Sequence, residues 1–161
     1  MNFDHKIVSP SSLKEIKGEN AKKIVLAGGC FDILHYGHVT FIQKAREAGD
    51  ALVLLLESDD FIREKKKKNP VHTQRQRAEI VAALEYVDYV VSLPLLKDPD
   101  NDYAKIVKDI HPSIIAFTAG DSKESQKKKL AQAVHATTLS IPNLKSFSSS
   151  QLITYAPIFR D

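Results

Sequence analysis

Apolar residues gather along the chain in short unbroken runs at 24–26, 51–56, 89–91 and 114–117, with a more polar run at 137–141. Runs of this length suit strands buried on both faces, because an unbroken run leaves no face for water. Between them, apolar positions return with helical spacing. From Gly37, Val39, Phe41, Ile42 and Ala45 fall on one side, and Gly49 closes that helix. Thr73 offers a cap for a helix reaching Leu84, with Ala78, Ile80, Val81 and Leu84 facing inward. Asp102 is placed to cap a helix carrying Tyr103, Ile106, Val107 and Ile110, which Pro112 ends, and 125–135 reads as another. The charged stretch 59–69 reads as a loop with at most a helical turn. Residues 1–20 read as a lead-in with a small helix from Ser9 to Ile16, and a short last helix is expected near 152–155.

Strands alternating with helices predict an α/β fold, a parallel five-stranded sheet with helices on both faces. The whole span 1–161 reads as one domain. Ligands of such sheets bind beyond the carboxyl ends of the strands, at the crossover point. The turns to interrogate are therefore 27–38, 57–68, 117–122 and 142–150.

Composition narrows the class. The chain is 43% hydrophobic and 27% charged, as soluble globular domains are. No apolar run approaches the ~20 residues of a transmembrane helix, and residues 1–6 lack the apolar core of a signal peptide. A single cysteine, Cys30, excludes an intramolecular disulfide. A cytoplasmic protein is the expectation. The net charge of +3 is too mild to argue for nucleic acid. Charge is concentrated at 63–68, where five cations and one anion occur in six residues. Lys127-Lys128-Lys129 reads as a solvated helix face.

The first turn reads Gly28-Gly29-Cys30-Phe31-Asp32-Ile33-Leu34-His35-Tyr36-Gly37-His38. Glycines directly after a strand let the backbone approach a ligand closely. His35 and His38 flank Gly37 where the helix begins. A helix start offers free N–H groups and the positive end of the dipole, which suits phosphate, and imidazole N–H donors would add to it. A capped helix with two incidental histidines is the plainer alternative. A metal centre is another, but no cysteine or carboxylate partners stand at ligand spacing.

The segment from Gly29 to His38 resembles the signature of the cytidylyltransferase-like nucleotidyltransferases. That signature is a glycine, any residue, Phe-Asp, two residues, His, any residue, then Gly-His. It is a variant of the HIGH motif shared with class I aminoacyl-tRNA synthetases. Ser58-Asp59, Gln76-Arg77, Val87-Asp88, Gly120-Asp121 and Ser148-Ser149-Ser150 resemble further family positions, so the likeness covers about residues 22–154. The wording of 29–35, with Pro70-Val71, is most similar to the branch that adenylylates heptose 1-phosphate. Glycerol-3-phosphate cytidylyltransferases are the second likeness, on Asp60-Phe61 and the lysine run.

The resemblance implies a Rossmann-like fold and attack by a substrate phosphate on the α-phosphorus of a nucleoside triphosphate, with pyrophosphate leaving. ATP with a sugar phosphate is the first expectation, and CTP with glycerol 3-phosphate the second. No covalent enzyme nucleophile is needed, so Cys30 is implied to pack beside the phosphates. His35 and His38 are implied to contact the triphosphate, with Gly29, the Phe31 backbone and Gly37 close to it. Asp32 is expected to fix the loop. Lys65, Lys67 and Arg77 are implied to meet phosphate. Gly120 and Asp121 would lie near ribose, base or acceptor, and Ser148 and Ser149 would bond the outer phosphates. Magnesium is implied to arrive with the triphosphate, and no protein ligand for it is named. Nucleic acid and membrane are not expected partners, and some family members form homodimers. The alternative from another class is a non-catalytic nucleotide sensor, or an RNA binder using the run at 63–68.

Overall fold

The computed structural model describes residues 3–12 and 23–144. A 3-10 turn (Asp4–Lys6) leads into β1 (Ile7–Val8). There follow β2 (Ile24–Gly29), α1 (Tyr36–Glu47), β3 (Ala51–Leu56), α2 (Asp59–Lys66), α3 (Gln74–Ala82), β4 (Tyr89–Ser92), α4 (Pro99–Ile110), β5 (Ile114–Thr118), α5 (Glu124–Ala133) and β6 (Thr137–Ile141). The strands form one sheet in the order β1-β4-β3-β2-β5-β6, and every neighbouring pair is parallel.

The apolar runs are strands covered on both faces, as their continuity requires. Val25, Ala27, Leu52, Leu54, Leu56 and Val90 face α1 and α3 and pack with Ile42, Ala45, Ala78 and Val81. The alternate residues Leu26, Val53, Leu55, Val91 and Ile115 face α4 and α5 and pack with Ile106, Val107, Ile110 and Ala131. From β2 the chain winds through β3 to β4, then crosses back so that β5 lies on the other side of β2. A crevice therefore opens between the carboxyl ends of β2 and β5, the switch point of the sheet.

Among the described residues six strands stand where the apolar runs predict five. The sixth, β1, pairs Ile7 with Val90 and Val8 with Val91 at the sheet edge. Two residues are too few to show a strand pattern. Residues 59–66 are helical rather than loop. Ser58 caps α2, its Oγ accepting from the Phe61 N–H at 3.0 Å. Asp59 and Asp60 in the first turn and Arg63, Lys65 and Lys66 in the last oppose the helix dipole favourably. Ile62, wholly buried, anchors it to the core.

α4 begins at Pro99, not after Asp102. Proline's missing N–H and fixed φ suit the first helical position. Asp102 acts from inside the first turn, accepting from the Asp98 N–H at 3.2 Å. The cap on α3 is Thr73, in a reciprocal capping box with Gln76. The expected helix from Ser9 to Ile16 runs out of the described residues, and the one near 152–155 lies wholly outside them.

Gly49 lies after α1, where the chain turns into β3. A Cβ there would stand 2.5 Å from the Lys23 carbonyl oxygen and 2.7 Å from Val25 Cγ2. Gly49→Ala is expected to destabilise the fold by about 1–3 kcal/mol. Urea unfolding checks this, and an unchanged midpoint would show that the start of β2 yields freely.

Candidate active site

A cleft of about 530 Å³ occupies the crevice over β2 and β5. Its floor is the turn from Gly28 to His38. Gly28 and Gly29 expose backbone there, and a Cβ on Gly29 would meet the Phe31 ring at 3.1 Å. Phe31 has φ 48°, a left-handed conformation that a bulky residue adopts only under constraint. Three contacts supply that constraint. The Phe31 ring is buried and lies edge-on to His38, with centroids 5.4 Å apart. The buried Asp32 carboxylate accepts from the Val71 N–H at 3.0 Å and the His72 N–H at 3.1 Å. His72 Nδ1 pairs with the Asp32 carbonyl oxygen at 2.9 Å. Asp32 thus fixes the loop, as expected of it.

The family resemblance puts Arg77 on phosphate, but the structure places it elsewhere. It is 0% exposed, and the cleft lining does not include it. Its Nη1 donates to the Cys30 carbonyl oxygen. Its Nη2 donates to the Glu57 carbonyl oxygen and to Asp59 Oδ1, both at 2.8 Å, and its Nε to the His72 carbonyl oxygen at 3.2 Å. A guanidinium committed to four protein acceptors is a brace behind the turn. Sequence reasoning locates it on the right helix but cannot see that the side chain points inward.

His35 is the residue before α1, and among the described residues no side chain caps that helix. The His35 and His38 rings stack with centroids 3.8 Å apart and planes 26° from parallel. Both line the cleft, and both Nδ1 atoms are sealed from water with no hydrogen-bond partner among the described residues. Burial lowers the His35 pKa. Burial first, then the adjacent His35, brings His38 down to about 4, against an opposing contribution from the Ile33 backbone. The pair is therefore neutral near pH 7, and each ring offers one N–H and one lone pair. Gly37, between them, also lines the cleft.

The lysine run reaches the cleft in a register one residue away from the expected one. All four lysines are exposed, but Lys66 and Lys68 line it while Lys65 and Lys67 do not. α2 ends at Lys66, and Lys67 takes a left-handed φ of 56°, which redirects the chain before Lys68. Across the cleft, Asp121 lines the wall, and Lys127 Nζ stands 2.7 Å from its Oδ2. Burial opposes the Asp121 charge, but Lys127 and the Lys123 N–H outweigh it and lower the pKa. Gly120, at φ 79°, makes the turn without lining the cleft. Ser148 and Ser149 lie outside the described residues.

Cys30 lines the cleft, but burial foremost, with the Glu57 charge second, pushes its thiol up, away from a nucleophilic thiolate. Glu57 is itself buried, which raises its carboxyl, and the Tyr103 hydroxyl donates to it. No group of three His, Cys, Asp or Glu among the described residues is arranged to hold a metal ion. Lys127 lines the cleft rather than the solvated face its neighbours occupy, and no sequence signal separates it from Lys128 and Lys129.

Comparison with known proteins decides the family: the cytidylyltransferase-like family model matches residues 26–154. The chain belongs to the cytidylyltransferase-like family. It is 40% identical over 114 residues to the bifunctional protein HldE of Campylobacter fetus, covering 70% of this chain and 24% of that one. It thus spans about a quarter of the length of that relative. It is 39% identical over 128 residues to the FAD synthase of Thermococcus sibiricus, covering 75% of this chain and 82% of the relative. The lipopolysaccharide core biosynthesis protein of Thermoplasma volcanium shares the fold, with a TM-score of 0.61 at 24% identity over 75% of this chain and 95% of that one.

Two outcomes are expected of this cytidylyltransferase-like site. Arg77→Met should cost about 3–5 kcal/mol of stability, because it leaves Asp59 and three carbonyls without their donor. A variant of normal melting temperature with a raised KM would instead put Arg77 on substrate. The second concerns pH. Between its ordinary pKa near 6.5 and its folded value of about 4, His38 takes up a proton in the unfolded chain but not in the folded one. Stability supplied by neutral His38 is complete above pH ~6.5 and is lost as pH falls towards about 4. His38→Gln should flatten the fall in melting temperature across that window. Parallel curves for the two proteins would show that His38 titrates normally.

Proposed function

We propose that the chain transfers the nucleoside monophosphate of a nucleoside triphosphate, with ATP preferred, to a small phosphorylated acceptor. A sugar phosphate such as heptose 1-phosphate is the leading acceptor. The observation that carries this is the neutral, stacked pair His35 and His38 at the uncapped start of α1, beside the Gly28-Gly29 backbone. An acceptor phosphate oxygen bonds to the α-phosphorus while the bond to the bridging oxygen breaks, and pyrophosphate leaves. Charge builds on that bridging oxygen. Imidazole N–H donors and the positive end of α1 are suited to stabilise it without any enzyme nucleophile. Lys66 and Lys68 supply point charges for phosphate oxygens from the other side.

Magnesium belongs to this reading as part of the substrate, carried on the triphosphate oxygens and easing departure of pyrophosphate. The cleft's carboxylates are committed elsewhere, Asp32 to the Val71 and His72 N–H groups and Asp121 to Lys127 and Lys123. The preference for ATP is supported by the likeness of residues 29–35 to the heptose branch. It is also supported by the FAD synthase relative, whose product contains an adenylyl group. That relative is covered over 82% of its length, which favours flavin mononucleotide as a second acceptor. CTP with glycerol 3-phosphate is the alternative raised by Asp60-Phe61.

Pyrophosphate release with magnesium tests the reading, crossing ATP and CTP against heptose 1-phosphate, flavin mononucleotide and glycerol 3-phosphate. Release with ATP and a sugar phosphate is the expected result, and release with CTP alone would overturn the base preference. In the active pair, His38→Ala should lower kcat by about 100-fold or more while the fold persists. An unchanged rate would remove the histidine pair from the chemistry.

A further inference from the structure

α5 carries three successive lysines, and a helix turns by about 100° per residue, so they cannot share a direction. Lys128 pairs with Glu124 at 2.6 Å on the solvent side, and Lys129 is exposed. Lys127 turns inward and lines the cleft. Its Nζ stands 2.7 Å from Asp121 Oδ2 and 5.9 Å from the centre of the Phe117 ring, and both ionic side chains are 24% exposed. Lys66 and Lys68 enter the same cleft from the end of α2. Lys66 and Lys127 both act on the charges of Asp121 and Glu57, so the two cations address one region from two elements.

The Lys127–Asp121 pair is built so that the lysine is the partner that moves. Asp121 Oδ1 accepts from the Lys123 N–H at 2.7 Å, which holds the carboxylate if the ammonium departs. The Lys127 ammonium, at the end of a flexible four-carbon stem, donates to Asp121, its one side-chain hydrogen bond among the described residues. An ion pair open to water on one side holds weakly. A phosphate group offers more charge and more acceptor oxygens than the carboxylate does.

We infer that Lys127 is a substrate-binding residue of this cleft: when a phosphate group enters, its ammonium leaves Asp121 and takes a phosphate oxygen, joining Lys66 and Lys68. The inference rests on the nucleotidyl-transfer reading. The phosphate is that of the triphosphate or that of the acceptor, and kinetics separates the two. Asp121 is left with a free oxygen that can accept from a substrate hydroxyl.

The test compares the parent chain with Lys127→Met, Lys127→Arg and Lys128→Met. Steady-state kinetics is run for each substrate, and binding of inorganic tripolyphosphate with magnesium is followed by calorimetry. Lys127→Met should raise one KM by about tenfold or more at an unchanged melting temperature. Lys127→Arg should restore most of the loss, and Lys128→Met should match the parent. A raised KM for the nucleotide, with weakened tripolyphosphate binding, assigns the triphosphate. A raised KM for the acceptor with normal tripolyphosphate binding assigns the acceptor phosphate. If Lys127→Met does not fold, Lys127→Gln, which keeps a hydrogen bond to Asp121, carries the same expectation. Parent-like kinetics and binding in the neutral variant would overturn the inference and leave Lys127 as a clasp on the turn. A parent chain that binds neither tripolyphosphate nor nucleotide would sink the underlying reading as well.

Discussion

The buried guanidinium of Arg77 is the contact on which the rest of the site depends. It reaches the ends of β2 and β3, the start of α2 and the segment before α3, through Cys30, Glu57, Asp59 and His72. Backbone carbonyls at strand ends have no ladder partner, and a buried one left alone is costly. Arg77 satisfies two of them, at Cys30 and Glu57, together with the His72 carbonyl before α3, and it neutralises Asp59. In doing so it fixes where Cys30 ends and Phe31 begins. The left-handed backbone at Phe31, the buried Asp32 and the position of His35 and His38 all depend on that. A rigid support behind a binding turn is what lets donors stay aimed without a ligand present.

Rigidity and charge are distributed unevenly around the cleft. On the floor, burial lowers both histidines and raises Cys30, favouring their neutral forms, and behind it burial raises Glu57. Formal positive charge sits on the long stems of Lys66, Lys68 and Lys127 at the walls. Fixed neutral donors below and adjustable cations around them suit a substrate whose charge shifts from one oxygen to another during the reaction.

Much of this architecture is legible in the amino-acid order. Unbroken apolar runs mark the central strands, Thr73 marks its cap, and the spacing of His35, Gly37 and His38 locates the site. The features that escape such a reading lack a period. β1 is two residues long, too short to alternate or repeat. α2 is so charged that Ile62 alone marks its inner side. Four adjacent lysines hide the left-handed break at Lys67, so Lys66 and Lys68 are easily mistaken for their neighbours. Arg77 and Lys127 are misjudged for a shared reason: a long charged side chain reads as solvent-facing, and only tertiary packing shows which way it turns.

The lining of the cleft comes from residues 28–38, 62–68, 117–127 and 142–144, segments joined only when the parallel crossovers are complete. Parallel pairing closes long loops before its contacts form, so the sheet assembles late in folding. A half-assembled chain therefore holds fragments of the cleft and little of its affinity. Substrate selects the finished molecule, and a ligand at a hundredfold excess over its Kd adds about 2.7 kcal/mol to that molecule's stability. A ligand of this cleft thus acts on how much of the chain stands as folded protein, apart from anything it does once bound.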